Sequence, residues 1–237
     1  MSQKKILPVI FFEKVVKKNL KNKIKKTCIF GKNFVKLENN FLKMKNEIIA
    51  ELLKKAENLK NDGQHKKAIK ILEKIVTTEP QCETAFEEIG DNFLSLKNLP
   101  KAEKALRHAL KLNSNLPNAR YLLGFLHSLK QNWRASILEL QKANQLFPNN
   151  PEILRCLGWS FYNQNRKNQG IAILERSRTL APEDVNILCD LGVCYMNFEK
   201  ISEARKIFLQ IIKLDPESEQ ARDSIEFLRI IDGKNFS

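Results

Sequence analysis

Apolar and small residues recur along most of this chain with one long period. Gly90, Gly124, Gly158 and Gly192 stand 34 positions apart, with Ala56 one period earlier. Ile89, Leu123, Leu157 and Leu191 precede the glycines, and Phe93, His127, Phe161 and Tyr195 follow three positions later, with Leu59 in the earliest copy. Ala68, Ala102, Ser136, Gly170 and Ala204 form another series, and Leu72, Leu106, Leu140, Leu174 and Phe208 a further one. Pro80, Pro148, Pro182 and Pro216 recur in the same frame, with Ser114 in the one gap. Each unit reads as two helices. Leu154, Leu157, Gly158 and Phe161 carry a helical spacing, a polar turn follows, and the second helix stops before the proline, which has no N–H and disfavours helix in the residue before it. A small residue on each helix lets the two axes approach closely, and the larger side chains fill the space around the crossing.

The helix–turn–helix period, the small residue followed three positions on by an aromatic, the mid-unit alanine and the closing proline resemble the tetratricopeptide repeat family. The resemblance covers roughly residues 49–218, as units 49–82, 83–116, 117–150, 151–184 and 185–218. It departs from the family pattern where a tryptophan is expected early in each first helix. Leu52, Phe86, Arg120, Leu154 and Leu188 stand there instead. Gly170 replaces the mid-unit alanine, which on propensity alone weakens that helix by about 1 kcal/mol. Residues 219–231 are expected to cap the stack, with Arg222, Ile225, Phe227 and Leu228 continuing the first-helix phase. Glu219, Asp223, Glu226 and Arg229 make the outer side of that cap polar. The expected fold is an all-α solenoid over residues 46–231, followed by a tail at 232–237.

Charge divides the chain differently. Residues 1–45 hold 13 lysines, no arginine and two acids, Glu13 and Glu38, which places +11 of the total +14 in one end. Phe12, Val15, Val16, Leu20 and Ile24 share a helical face there, and Lys14, Lys17, Lys18, Lys21, Lys25 and Lys26 surround it. Three readings of this basic arm stand side by side: a solvated or end-packing segment, an anionic-membrane contact, and a nucleic-acid contact. The absence of arginine argues against base-specific recognition. A start of translation at Met44 is a further expectation, under which the arm is not part of the functional protein.

The resemblance implies a curved stack whose concave side, lined by first helices, holds peptides or partner helices. Leu157, Phe161, Leu191 and Tyr195 belong to the repeating core. The positions offset from them vary between units: Glu57, Glu87 and Asp91 early, then Tyr121, Phe125, Arg155, Trp159, Tyr162, Cys189, Val193 and Met196. Trp, Tyr and Arg are enriched at interface hot spots, so these residues are the candidate groove, the alternative being that they seal adjacent units. A clamp for chaperone tails is not expected, because Leu53, Glu57, Glu88, Asn118 and Leu122 occupy its places and acids there repel a carboxylate.

Nothing in the sequence calls for catalysis, a cofactor or a metal. Gly31-Lys32 lacks the upstream glycine of a phosphate loop, and Gly158-Trp159-Ser160 is not followed by the glycine of a nucleophile elbow. The five cysteines, Cys28, Cys82, Cys156, Cys189 and Cys194, form no CxxC pair, and with only three histidines they fit free thiols in a reducing, cytoplasmic compartment. The apolar run Ile6–Phe12 is too short to span a bilayer and lacks a signal-peptide cleavage site. The expected function is a non-enzymatic interaction module: an adaptor, scaffold or assembly factor. The alternative is a peripheral tether whose arm binds an anionic surface while the repeats hold a protein.

Overall fold

The structure is a computed structural model that describes residues 31–234. Those residues form eleven α-helices and no strand. They run α1 Gly31–Asn61, α2 His65–Thr78, α3 Glu83–Ser95, α4 Leu99–Leu112, α5 Pro117–Leu129, α6 Trp133–Leu146, α7 Pro151–Asn163, α8 Lys167–Leu180, α9 Val185–Asn197, α10 Ile201–Leu214 and α11 Glu219–Lys234. The expected all-α repeat fold is the observed one. The second helices end at Thr78, Leu112, Leu146, Leu180 and Leu214, where the proline series predicted the breaks.

Local chemistry sets these boundaries. Asn98, Asn132 and Asn150 cap α4, α6 and α7, each side-chain oxygen accepting from the backbone N–H three residues on, and Asp184 caps α9 in the same way. Each turn within a hairpin holds one residue in the left-handed region: Gly63 (φ 70°), Lys97 (55°), Gln131 (55°), Asn165 (68°) and Glu199 (60°). These positions too are 34 apart. At four of the turns the next residue's N–H reaches back to a carbonyl five positions earlier, as in Gln64 to Leu59 (2.7 Å), Asn132 to His127 (2.9 Å), Arg166 to Phe161 (3.0 Å) and Lys200 to Tyr195 (2.9 Å). This is the closure of a Schellman motif.

The helices fall into two compact units, one ending at Leu96 and one starting at Lys97. In the first, Ala56 of α1 and Ala68, Ile69, Leu72 and Ile75 of α2 are buried. The Lys60 ammonium donates to Glu88 (2.8 Å) and Asp91 (2.9 Å), tying α1 to α3. Burial opposes the lysine's charge, but the two acids more than offset this and hold its pKa above the usual range.

In the second unit the small and large series interlock. A methyl on Gly124 would stand 2.6 Å from Leu140 Cγ, on Gly158 2.8 Å from Leu174 Cγ, and on Gly192 2.7 Å from Phe208 Cε1. Each glycine thus admits the large residue of the facing helix. Between α5, α6 and α7, Ser136 Oγ donates to the Gly124 carbonyl (2.8 Å) and lies 2.8 Å from Ser160 Oγ, while Ser160 Oγ donates to the Cys156 carbonyl (2.8 Å). Buried hydroxyls are therefore satisfied at this crossing.

Three expectations change. Gly170 is not a weakened alanine position: a Cβ there would lie 2.6 Å from the Tyr162 nitrogen and 2.7 Å from the Gly158 carbonyl oxygen. The α7–α8 crossing is close enough to exclude a methyl. Helix α1 begins at Gly31, ahead of the boundary that charge drew at residue 45, and α11 runs to Lys234 rather than stopping at 231. Within α11, Ala221, Ser224 and Ile231 are buried, Phe227 and Leu228 half-buried, and Ile225 is 39% exposed. Ile225 stands 34 positions after the fully buried Leu191, but no second helix folds over it among the described residues. The polar side expected of the cap is present, with Glu219, Asp223, Glu226 and Arg229 all exposed.

Candidate functional site

The second unit brings most of the variable first-helix positions into columns. Phe125, Trp159 and Val193 are one period apart on α5, α7 and α9, and so are Tyr121, Arg155 and Cys189; all six are half-buried. Within each helix, spacings of three and four residues put neighbours on one face. Tyr121 stacks on Phe125 (centroids 6.4 Å, planes 20° apart), and Trp159 on Tyr162 (6.5 Å, 18°). The undersides of Tyr121 and Phe125 pack on a core that includes Leu140, Cys156, Leu157 and Phe161. Those of Trp159, Cys189 and Met196 pack on the next core, around Leu174, Leu191 and Phe208. These side chains both seal the helices and leave an upper edge open to solvent.

A polar chain crosses the same face. The Tyr121 hydroxyl on α5 donates to Glu152 Oε1 on α7 (2.8 Å). Arg155 sends Nε to Glu152 Oε2 (2.8 Å), Nη2 to Glu152 Oε1 (2.6 Å) and Nη1 to Asp190 Oδ2 on α9 (2.7 Å). The guanidinium is thus held bidentate on one acid and linked to a second. Burial pushes the Glu152 carboxyl up, but Arg155 and the Tyr121 hydroxyl outweigh it and hold the group below the usual carboxylate range. Burial raises the Tyr121 hydroxyl, with the nearby Cys156 and Glu152 adding to it. The same cause pushes the Cys156 thiol up to about 12 and the Cys189 thiol to about 11.

Other expected site residues lie elsewhere. Tyr162 is buried, and its hydroxyl donates to the Cys194 carbonyl (3.3 Å), so it seals α7 against α9 and is no part of the open face. Glu57, Glu87 and Asp91 stand on α1 and α3 of the first unit, where Asp91 is engaged by Lys60. The second unit's site is built without them. Lys14, Lys17, Lys18, Lys21, Lys25 and Lys26 lie outside the described residues. Cys82, Cys156, Cys189 and Cys194 are free thiols, and no group of three metal-ligating side chains occurs among the described residues. His127 fills the place of an aromatic and is buried, with no hydrogen-bond partner at Nδ1. Among the described residues no helix is long and apolar enough to cross a membrane.

Sequence pattern alone did not identify Glu152 and Asp190. Glu152 precedes Arg155 by three residues on one helix face, and that spacing was a usable signal. Asp190 follows Arg155 by 35 positions, one more than the period, and the pair becomes visible only once α7 and α9 are seen side by side.

The tetratricopeptide repeat profile matches residues 52–81 and 185–218. Anaphase-promoting complex subunit 3 of Schizosaccharomyces pombe is 22% identical over 70% of this chain and 30% of its own length. The type IV pilus assembly protein PilF of Pseudomonas aeruginosa is 24% identical over 57% of this chain and 54% of its own length. The chain therefore spans 30% of the one relative's length and 54% of the other's. The solved PilF structure superposes with a TM-score of 0.69 at 14% identity, covering 81% of this chain and 87% of that one. YrrB, described as a tetratricopeptide-repeat protein with an unusual peptide-binding site, superposes with a TM-score of 0.57 at 17% identity, covering 74% of this chain and 90% of that one.

Proposed function

The chain is a tetratricopeptide-repeat protein, and on that footing we propose that the α5–α7–α9 face of its second unit docks a segment of another protein. The chain then acts as a non-catalytic adaptor, scaffold or assembly factor. The observation that carries this is the pair of 34-spaced columns, Tyr121–Arg155–Cys189 and Phe125–Trp159–Val193, half-open on one side of a core that other residues fill. A half-exposed apolar row with an ordered polar chain beside it offers a partner both buried area and fixed hydrogen-bond acceptors. The peptide-binding description of YrrB supports the same reading. The five cysteines of the sequence form no CxxC pair, which favours a reducing compartment, and we propose a cytoplasmic location on that reading.

The test is site-specific photocrosslinking in cells, with the crosslinker placed at Phe125 or Val193 on the face and at Leu138 on α6 as a control. Leu138 is 52% exposed and lies outside both columns. Covalent adducts from the two face positions, absent from Leu138, are expected. Truncating Trp159 to alanine should then weaken the captured partner by about 2 kcal/mol, or roughly thirtyfold. Adducts from Leu138 alone contradict the assignment.

A further inference from the structure

The face is open to a partner, but its charges are not equally open. Arg155 is the cation among them, and it keeps only 16% of its side chain exposed, while Glu152 keeps 38% and Asp190 20%. All three guanidinium nitrogens are engaged by these acids. A partner carboxylate arriving among these charges therefore meets no unengaged guanidinium nitrogen, and the exposed Lys167, 5.9 Å from the ring of Tyr162, is the cation that stands beside them. On the neighbouring α11, Asp223 is exposed, and its charge acts on the Cys189 thiol of the same face. Glu152, Asp190 and Asp223 against Arg155 and Lys167 leave the surface net negative on a chain whose total is +14.

Resting on the docking reading above, we propose that the partner is a cationic amphipathic segment. Its apolar side chains lie along Phe125, Trp159 and Val193, and its lysine or arginine side chains meet Glu152, Asp190 and Asp223. Charge complementarity selects this occupant. An acidic segment would face three carboxylates against one saturated guanidinium and Lys167. Cationic stems also suit the rim, because their methylenes lie on apolar surface while the charged head reaches a carboxylate.

The experiment uses the full chain and two synthetic 18-residue helical peptides with the same leucine stripe, one with lysine and one with glutamate on the polar face. Binding is measured by calorimetry to the wild type, Trp159→Ala and Asp223→Lys. The difference between wild type and Trp159→Ala isolates binding at this face from any attraction of the glutamate peptide to the basic N-terminal residues. Asp223 is exposed, so its replacement leaves folding intact even where Trp159→Ala does not. The lysine peptide should bind in a Trp159-dependent way, weaken with added salt, and lose about fivefold in affinity with Asp223→Lys. Trp159-dependent binding that favours the glutamate peptide, or treats both alike, overturns the cationic partner and leaves the docking face standing. Absence of Trp159-dependent binding by either peptide, with Asp223→Lys also without effect, overturns both.

Discussion

Replacing Gly170 by alanine sets helix propensity against packing, and the geometry decides the sign. In an open helix the change gains about 1 kcal/mol. Here the added methyl would meet the Tyr162 nitrogen at 2.6 Å, the Gly158 oxygen at 2.7 Å and Tyr162 Cβ at 2.8 Å. Two of these atoms are backbone and cannot swing away, so α7 and α8 must separate by several tenths of an ångström. Overpacking of this kind costs about 1–3 kcal/mol, and the separation also loosens the Leu174 contact at Gly158. Because two of the opposing atoms are backbone, the upper part of that range, about 2–3 kcal/mol, applies. Less the propensity gain, the expected net loss is about 1–2 kcal/mol, read as a lower urea midpoint at unchanged slope from the fluorescence of Trp133 and Trp159. Gly233→Ala, with nothing within 4 Å of the new methyl, is the control and should not lose stability. A Gly170→Ala protein as stable as wild type, or more so, refutes the close-crossing account.

Other consequences can be measured on the same protein. Glu199 holds a left-handed backbone at φ 60°, so Glu199→Gly should raise the urea midpoint by about 0.5–1 kcal/mol of stability; no gain would mean that the turn is not strained. Burial holds the His127 imidazole below its ordinary pKa, Arg107 and Lys130 reinforce this, and Glu103 and Glu139 oppose it. The unfolded chain therefore takes up that proton first, and stability present above about pH 6.5 is lost as pH falls below it. His127→Phe, which copies Phe93 and Phe161, should remove that loss in urea melts at pH 7.5 and 5.5, and an unchanged difference between the two would contradict it. The Cys189 thiol, pushed to about 11, should be alkylated slowly at pH 7, with the rate rising about tenfold per pH unit up to pH 10. A plateau near pH 8.5, followed by peptide mass spectrometry, would show an ordinary thiol.

The fold was legible because two independent devices repeat at the same interval. The left-handed turn, closed at four hairpins by a five-residue hydrogen bond, reverses the chain, and the interlock of a glycine with a leucine or with Phe208 lets the helices approach closely. The interlock leaves residue types at fixed places, whereas the turn positions Gly63, Lys97, Gln131, Asn165 and Glu199 share none. What periodicity did not reveal follows from physics that leaves no such mark. Lysine is a good helix former, so the charge-rich stretch after Gly31 does not interrupt α1, and a boundary drawn from charge missed the helix start. Gly170 resembles a poor helix residue until the Tyr162 backbone is seen against it. The face columns were readable from the period. Tyr162, three residues after Trp159, shares its nominal side but is covered by α9, and burial by a neighbour cannot be read from spacing within one helix. The Arg155–Asp190 link joins two helices and was missed for the same reason.

The central claim, a docking face on α5, α7 and α9, is tested most directly by radical footprinting of the full chain with and without its crosslinked partner. The account predicts that Phe125, Trp159 and Met196 become protected while Leu146, Leu180 and Leu214, exposed at the ends of the second helices, keep their labelling. Protection of those leucines with Trp159 unchanged would contradict it.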